Sequence, residues 1–149
     1  MNSKLLVLLN FAATLLMTGI IWQVQLVTYP IMGLVGKSEF MKYHAFHTTW
    51  ITPVVGPPML VELITAIMLV GTHPEEMPDW AAWVGLGLCG FLFLSTGLIS
   101  VPLHNQLATS YTPRAHSLLV STNWIRTVGW TLRAALMIWV MARMMSRTT

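Results

Sequence analysis

Charge is what this 149-residue chain has least of. Only 9% of its residues are Asp, Glu, Lys or Arg, against about 25% in a soluble domain. From Leu5 to Gly36 there is no formal charge at all. The one cysteine, Cys89, sits in an apolar run without a partner for an internal disulfide, so it carries no information on redox compartment. Neither Cys-x-x-Cys nor His-Glu-x-x-His occurs. The one aspartate, Asp79, falls in a loop remote from the histidine-rich segments, which leaves Ser-His-Asp hydrolysis without support. The eight basic residues form no block or stripe, and this excludes nucleic acid as the partner despite a net charge of +3.

What is present is apolar. Hydrophobic residues make up 55% of the chain, and mean hydropathy is +0.67. The fold class this implies is all-α: a four-span transmembrane helix bundle forming a single integral membrane domain over residues 1–149. The spans are expected at about 5–30, 53–70, 81–103 and 116–145. The first apolar run follows Lys4 as a signal peptide would. It outlasts the ~7–15 residues of a signal core and has no Ala-x-Ala site, so it reads as a retained helix. Tyr29-Pro30 is expected to end it. Ser38 reads as the N-cap of a short interfacial amphipathic helix running to about Trp50, between spans 1 and 2. Pro53 or Gly56-Pro57-Pro58 would then start the second span. Pro102 is expected to kink or end the third.

Polar residues inside such spans cost free energy and mark interior faces. Asn10, Thr14, Thr18, Trp22, Gln25 and Tyr29 recur at steps of three or four and form one stripe on span 1. Asn123, Arg126, Trp130 and Arg133 share a face of span 4. Antiparallel span order sends the end of span 1, the start of span 2, the end of span 3 and the start of span 4 to one side. That side is expected to receive Gln25, Tyr29, His44, His47, Glu62, His104, Asn105, His116, Asn123 and Arg126. The acidic loop around Glu75, Glu76 and Asp79 goes to the other. Lys4, Arg143 and Arg147 flank one face of the membrane, and Lys37, Lys42 and Arg114 the other, so the positive-inside count is a tie. The placement adopted is a multi-pass protein of the inner (plasma) membrane with both termini cytoplasmic.

Three chemistries fit this half-bundle. His44 and His47, three apart on a helix, have the spacing to reach one transition metal (iron, copper or zinc), with Glu62 and His104 as further ligands. Trp22, Tyr29, Trp124 and Trp130 would wall a pocket for a quinone-like or small apolar molecule. Glu62 as base, with Arg126 and Asn123 holding developing oxyanion character, would serve acid–base chemistry. No histidine lies mid-span, which disfavours a bis-His haem. The structural alternative for each is plain: Glu62 is the counter-ion of Arg126 or Arg133, and the aromatic residues are interior packing.

Val101-Pro102-Leu103-His104-Asn105-Gln106-Leu107, followed by Asn123-Trp124-Ile125-Arg126, resembles the anthrone oxygenase-like family of small four-helix membrane proteins. Members carry an Asn after the third span and an Asn/His-x-x-Arg element early in the fourth. Some oxidise an anthrone to an anthraquinone with molecular oxygen. The resemblance implies a membrane oxidoreductase or oxygenase acting on a small apolar or aromatic substrate, with Asn105, Asn123 and Arg126 as site positions. The His44–His47 segment has no counterpart in that pattern. The contrasting expectation is a non-catalytic accessory subunit of a larger membrane complex or homo-oligomer, braced by a Glu–Arg–His network.

Overall fold

The computed structural model describes residues 2–146; Arg147, one of the flanking charges, lies outside them. Four helices account for nearly all of the described chain: α1 (Ser3–Met32), α2 (Lys37–Thr72), α3 (Asp79–Thr109) and α4 (Pro113–Ser146). All four are long and apolar enough to cross a membrane. They run antiparallel in sequence order, with α1 and α3 each packed between α2 and α4. The Asn2 side chain accepts a hydrogen bond from the Lys4 N–H and caps α1. Large apolar side chains such as Leu16, Leu60, Ile64, Leu94, Leu98 and Leu132 stand exposed around the outside. For a bundle in lipid such a surface is the solvated one, because hydrocarbon tails are as apolar as leucine.

The core is stacked in three apolar clusters along the bundle. Leu6, Leu69, Met77 and Met137 fill the end near the acidic loop. Met17, Met59, Leu92 and Trp130 form the middle. Val24, Tyr29, Phe40 and Leu107 fill the opposite end. Gly129 lets the middle layer close: a Cβ there would lie 2.7 Å from Leu92 Cδ2.

Two expectations about helix boundaries are corrected. The interfacial segment is not a separate helix. α2 is continuous for 36 residues, capped at Gly36 rather than Ser38, and carries Pro53, Pro57 and Pro58 inside it. Prolines persist within spanning helices where neighbouring groups or local adjustment of the helix accommodate the freed backbone. Thirty-six residues make a rod of about 54 Å, against a hydrocarbon core of about 30 Å. The helix is therefore longer than a single crossing requires. Nor do Pro30 and Pro102 end their helices. Each is preceded by a π-helical turn, Val24–Thr28 in α1 and Thr96–Ser100 in α3. The wider turn accommodates a residue that cannot donate a backbone hydrogen bond.

Candidate functional site

Polar side chains gather at two levels of the bundle. The deeper level is built on Glu62. Its Oε1 accepts hydrogen bonds from Thr14 Oγ1 (2.7 Å) and Arg133 Nε, and its Oε2 from Trp130 Nε1 (3.0 Å). Arg133 also donates to the Gly85 carbonyl and to Asn10 Oδ1 (3.0 Å). Asn10 Nδ2 in turn donates to the Glu62 carbonyl and to Thr65 Oγ1. Glu62 and Arg133 are 1% and 0% exposed. All four helices contribute, the Glu62 and Arg133 charges are paired, and the adjoining void of about 10 Å³ is too small for an organic ligand. This is a closed structural network.

The second level lies at the histidine end. The Tyr29 hydroxyl is 3.0 Å from His104 Nε2, and His104 Nδ1 is 3.1 Å from His44 Nε2. This chain of three polar side chains runs across α1, α3 and α2. The His47 ring stacks on His104 at 5.7 Å, and its Nε2 is buried without a hydrogen-bond partner. His116 Nε2 donates to the Tyr29 carbonyl (2.8 Å) and so fixes the turn that carries the phenol. Arg126 reaches up from α4. Its Nη1 donates to Ser100 Oγ (2.9 Å), its guanidinium lies 5.6 Å from the Trp130 ring centre, and its Nε has no hydrogen-bond partner. Among the described residues no carboxylate pairs with it.

Between these groups is a cavity of about 230 Å³. Tyr29, His47, Ser100, His104, Asn105 and Arg126 supply its polar wall, and Met17, Ile21, Val24, Val55 and Val101 are among its apolar lining. Both π-helical turns border it through Val24, Thr96 and Ser100. Such turns are frequent at functional sites because they aim side chains that a regular helix would point elsewhere.

The structure redistributes the residues expected to form one site. Tyr29, His47, His104, Asn105 and Arg126 line the cavity, Asn105 at its exposed rim, and His44 backs it. Glu62 does not. It lies fifteen residues beyond His47 on one continuous helix, about 22 Å along the axis, and is held by Arg133. The four-ligand set His44, His47, Glu62 and His104 is therefore not assembled. Among the described residues no group of three His, Cys, Asp or Glu side chains is disposed to hold a metal ion. His44 and His104 hydrogen-bond to one another. Asn123 also lies off the cavity: it is buried and donates to Gln25 Oε1 (2.9 Å). Trp22 and Trp124 form an edge-to-face pair on the outer surface, where Trp22 Nε1 donates to Thr131 Oγ1. Trp130 belongs to the Glu62 network and serves the cavity only as the ring beneath Arg126.

Sequence reasoning assigned no role to the two π-helical turns. A signal for them was present: Leu26-Val27-Thr28-Tyr29-Pro30 in α1 matches Leu98-Ile99-Ser100-Val101-Pro102 in α3 in residue character and spacing. The pattern places a Thr or Ser two residues before each proline, at the end of each wide turn.

The fold and site together define a multi-pass four-helix membrane protein with a buried cationic cavity at one end. No family model matches the chain, and no curated protein or solved structure matches it significantly.

Proposed function

We propose that the cavity binds a small apolar molecule bearing an acidic oxygen, and that the protein acts on it as an oxygenase-type oxidoreductase. One observation carries the reading: Arg126 is 7% exposed, has no acidic partner among the described residues, and borders a void. An uncompensated buried cation costs several kcal/mol, and an anionic ligand would offset that cost. The apolar lining suits a ring system, and the polar groups converge on one wall, as in small-molecule sites generally.

The chemistry follows from the positions of the groups. His47, on the cavity wall with its Nε2 unpaired, takes a proton from a ring methylene that lies across the ring from a carbonyl and is conjugated with it through the flanking rings. Arg126 and Ser100 hold the oxyanion of the resulting enolate. The carbanion form adds molecular oxygen to give a hydroperoxide, which loses water to leave a second carbonyl. The balance is a methylene plus O₂ giving a carbonyl plus H₂O, with no other reductant or oxidant. The proton taken by His47 returns to the peroxide oxygen as the hydroperoxide forms, and the hydrogen-bonded line of Tyr29, His104 and His44 fixes the wall on which the His47 ring stacks. The resemblance of Val101–Leu107 and Asn123–Arg126 to the anthrone oxygenase-like family favours the same reaction class.

The test uses purified protein in lipid nanodiscs with anthrone as probe. Oxygen uptake and the appearance of anthraquinone absorbance are followed for the wild type, Arg126→Gln and His47→Gln. The reading requires turnover above the uncatalysed rate, lost by about 100-fold or more in Arg126→Gln. If neither anthrone nor any aromatic carboxylate or phenol binds in an Arg126-dependent way, the accessory-subunit reading takes its place.

A further inference from the structure

The cavity does not end at the bundle surface. On the outer face of α1 and α2 runs an apolar groove of about 420 Å³, lined by Leu15, Leu16, Gly19, Gln23 and Val54 together with Ile20 and Ile51. Ile20 and Ile51 also line the Arg126 cavity. These two half-buried side chains, one from each helix, are thus the partition between the cavity and the lipid-facing groove. Gly19 keeps the groove open, since a Cβ there would meet nothing within 4 Å.

The helices flanking this partition are loosely joined where it lies. Every side-chain hydrogen bond between α1 and α2 among the described residues is made by Asn10 or Thr14, at the deeper level. From Ile20 outward none links them. Beside Ile51, α2 carries Pro53, Gly56, Pro57 and Pro58, where helix hydrogen bonds are missing and bending is easiest. Just beyond Ile20, α1 carries its π-helical turn.

Building on the proposed anion-binding cavity, we infer that its ligand is lipid-like. The acidic head sits on Arg126, and a hydrocarbon tail leaves between Ile20 and Ile51 to lie in the α1–α2 groove, in contact with the bilayer. A long alkyl chain does not fit beside a head group in 230 Å³, but the shared side chains offer it a way out. Transfer of the tail from lipid to groove exchanges one apolar environment for another. Tail length should therefore alter affinity little in the wild type, provided that the gap is open.

The experiment measures binding in nanodiscs, expressed per mole of lipid, for probe pairs with one head and different tails. These are para-toluate against para-dodecylbenzoate, and para-cresol against para-dodecylphenol; the two pairs separate a carboxylate from a phenol head. Wild-type protein should bind the short and tailed members of at least one pair within about threefold of each other. Gly19→Trp and Val54→Trp, at groove residues that do not line the cavity, made separately in case one fails to fold, should each reject the tailed probe by at least tenfold and retain the short one. Arg126→Gln should lose both. Rejection of tailed probes by the wild type, or their unchanged binding in both Trp variants, would overturn the inference while leaving the anion site standing. If no probe binds in an Arg126-dependent way, both the site and the tail inference fall.

Discussion

Arg126 and Arg133 stand on the same helix, two turns apart, and meet opposite fates. Arg133 is wholly buried and fully engaged, with Glu62, Asn10 and the Gly85 carbonyl around its guanidinium. Arg126 is nearly as buried, yet around it are only the Ser100 and Tyr29 hydroxyls, one ring face and an open space, with its Nε unpaired. The comparison separates two uses of a charge inside a membrane bundle. Where four helices close around an ion pair, the charge fixes their mutual register. Where the partner is missing and a cavity takes its place, the charge is available to a ligand. Trp130 and Leu92 form the layer between the two levels, so each arginine has its own surroundings.

The largest effect that would break this contrast is removal of the acid. Glu62→Ala leaves Arg133 buried and unpaired, and it should cost about 3–5 kcal/mol in reversible denaturation in mixed micelles. Replacing both partners, Glu62→Leu with Arg133→Met, should recover most of that loss, because a well-packed apolar pair is often equivalent to a buried ion pair. A double variant as unstable as the single one would show that the network does more than neutralise charge.

The complementary substitution is Arg126→Met. It removes an uncompensated charge, so stability in the same assay should stay within about 1 kcal/mol of wild type or rise, while Arg126-dependent anion binding is lost. If Arg126→Met unfolds the bundle as Glu62→Ala does, the two arginines are alike and the cavity is structural.

Smaller changes sharpen the boundary. Asn10→Ala and Trp130→Phe each leave a charged member of the deeper network one hydrogen bond short and should cost about 1–3 kcal/mol. Asn10→Ala should leave ligand affinity unaffected. Gly129→Ala should cost about 1 kcal/mol through the displaced Leu92 side chain, a small overpacking penalty. A shift in the tryptophan fluorescence of Trp130 would report that the layer between the levels had moved.

Several parts of this arrangement are legible in the sequence. The stripe from Asn10 to Tyr29 recurs at steps of three or four, and in the structure Asn10, Thr14, Thr18 and Gln25 all turn inward to bond α2 or α4. His44, His47, His104 and His116 meet at one end because alternation of four spans leaves them no other place, while His73 pairs with Asp79 at the other end. Other residues lie away from where the sequence sets them, Asn123 and Trp130 among them. Pro53, Pro57 and Pro58 suggest a helix start that would set Glu62 at the histidine end. A helix continuous through all three carries it about 22 Å away. Trp22 lies on the stripe of span 1 and Trp124 is an expected pocket wall, yet they pack against each other outside.

By itself, then, the sequence determined the number of spans, their apolar exterior and the polar face of each helix. Those follow from composition and from a 3.6-residue period, which are local properties. It could not determine depth. Arg126 and Arg133 share a face, and a shift of seven residues, about 10 Å along the axis, would exchange their partners. Only the packing of α1, α2 and α3 against α4 sets that register, through Thr14 and Asn10 on one side and the Gly129–Leu92 approach on the other. That tertiary choice gave Glu62 to Arg133 and left Arg126 facing an empty space.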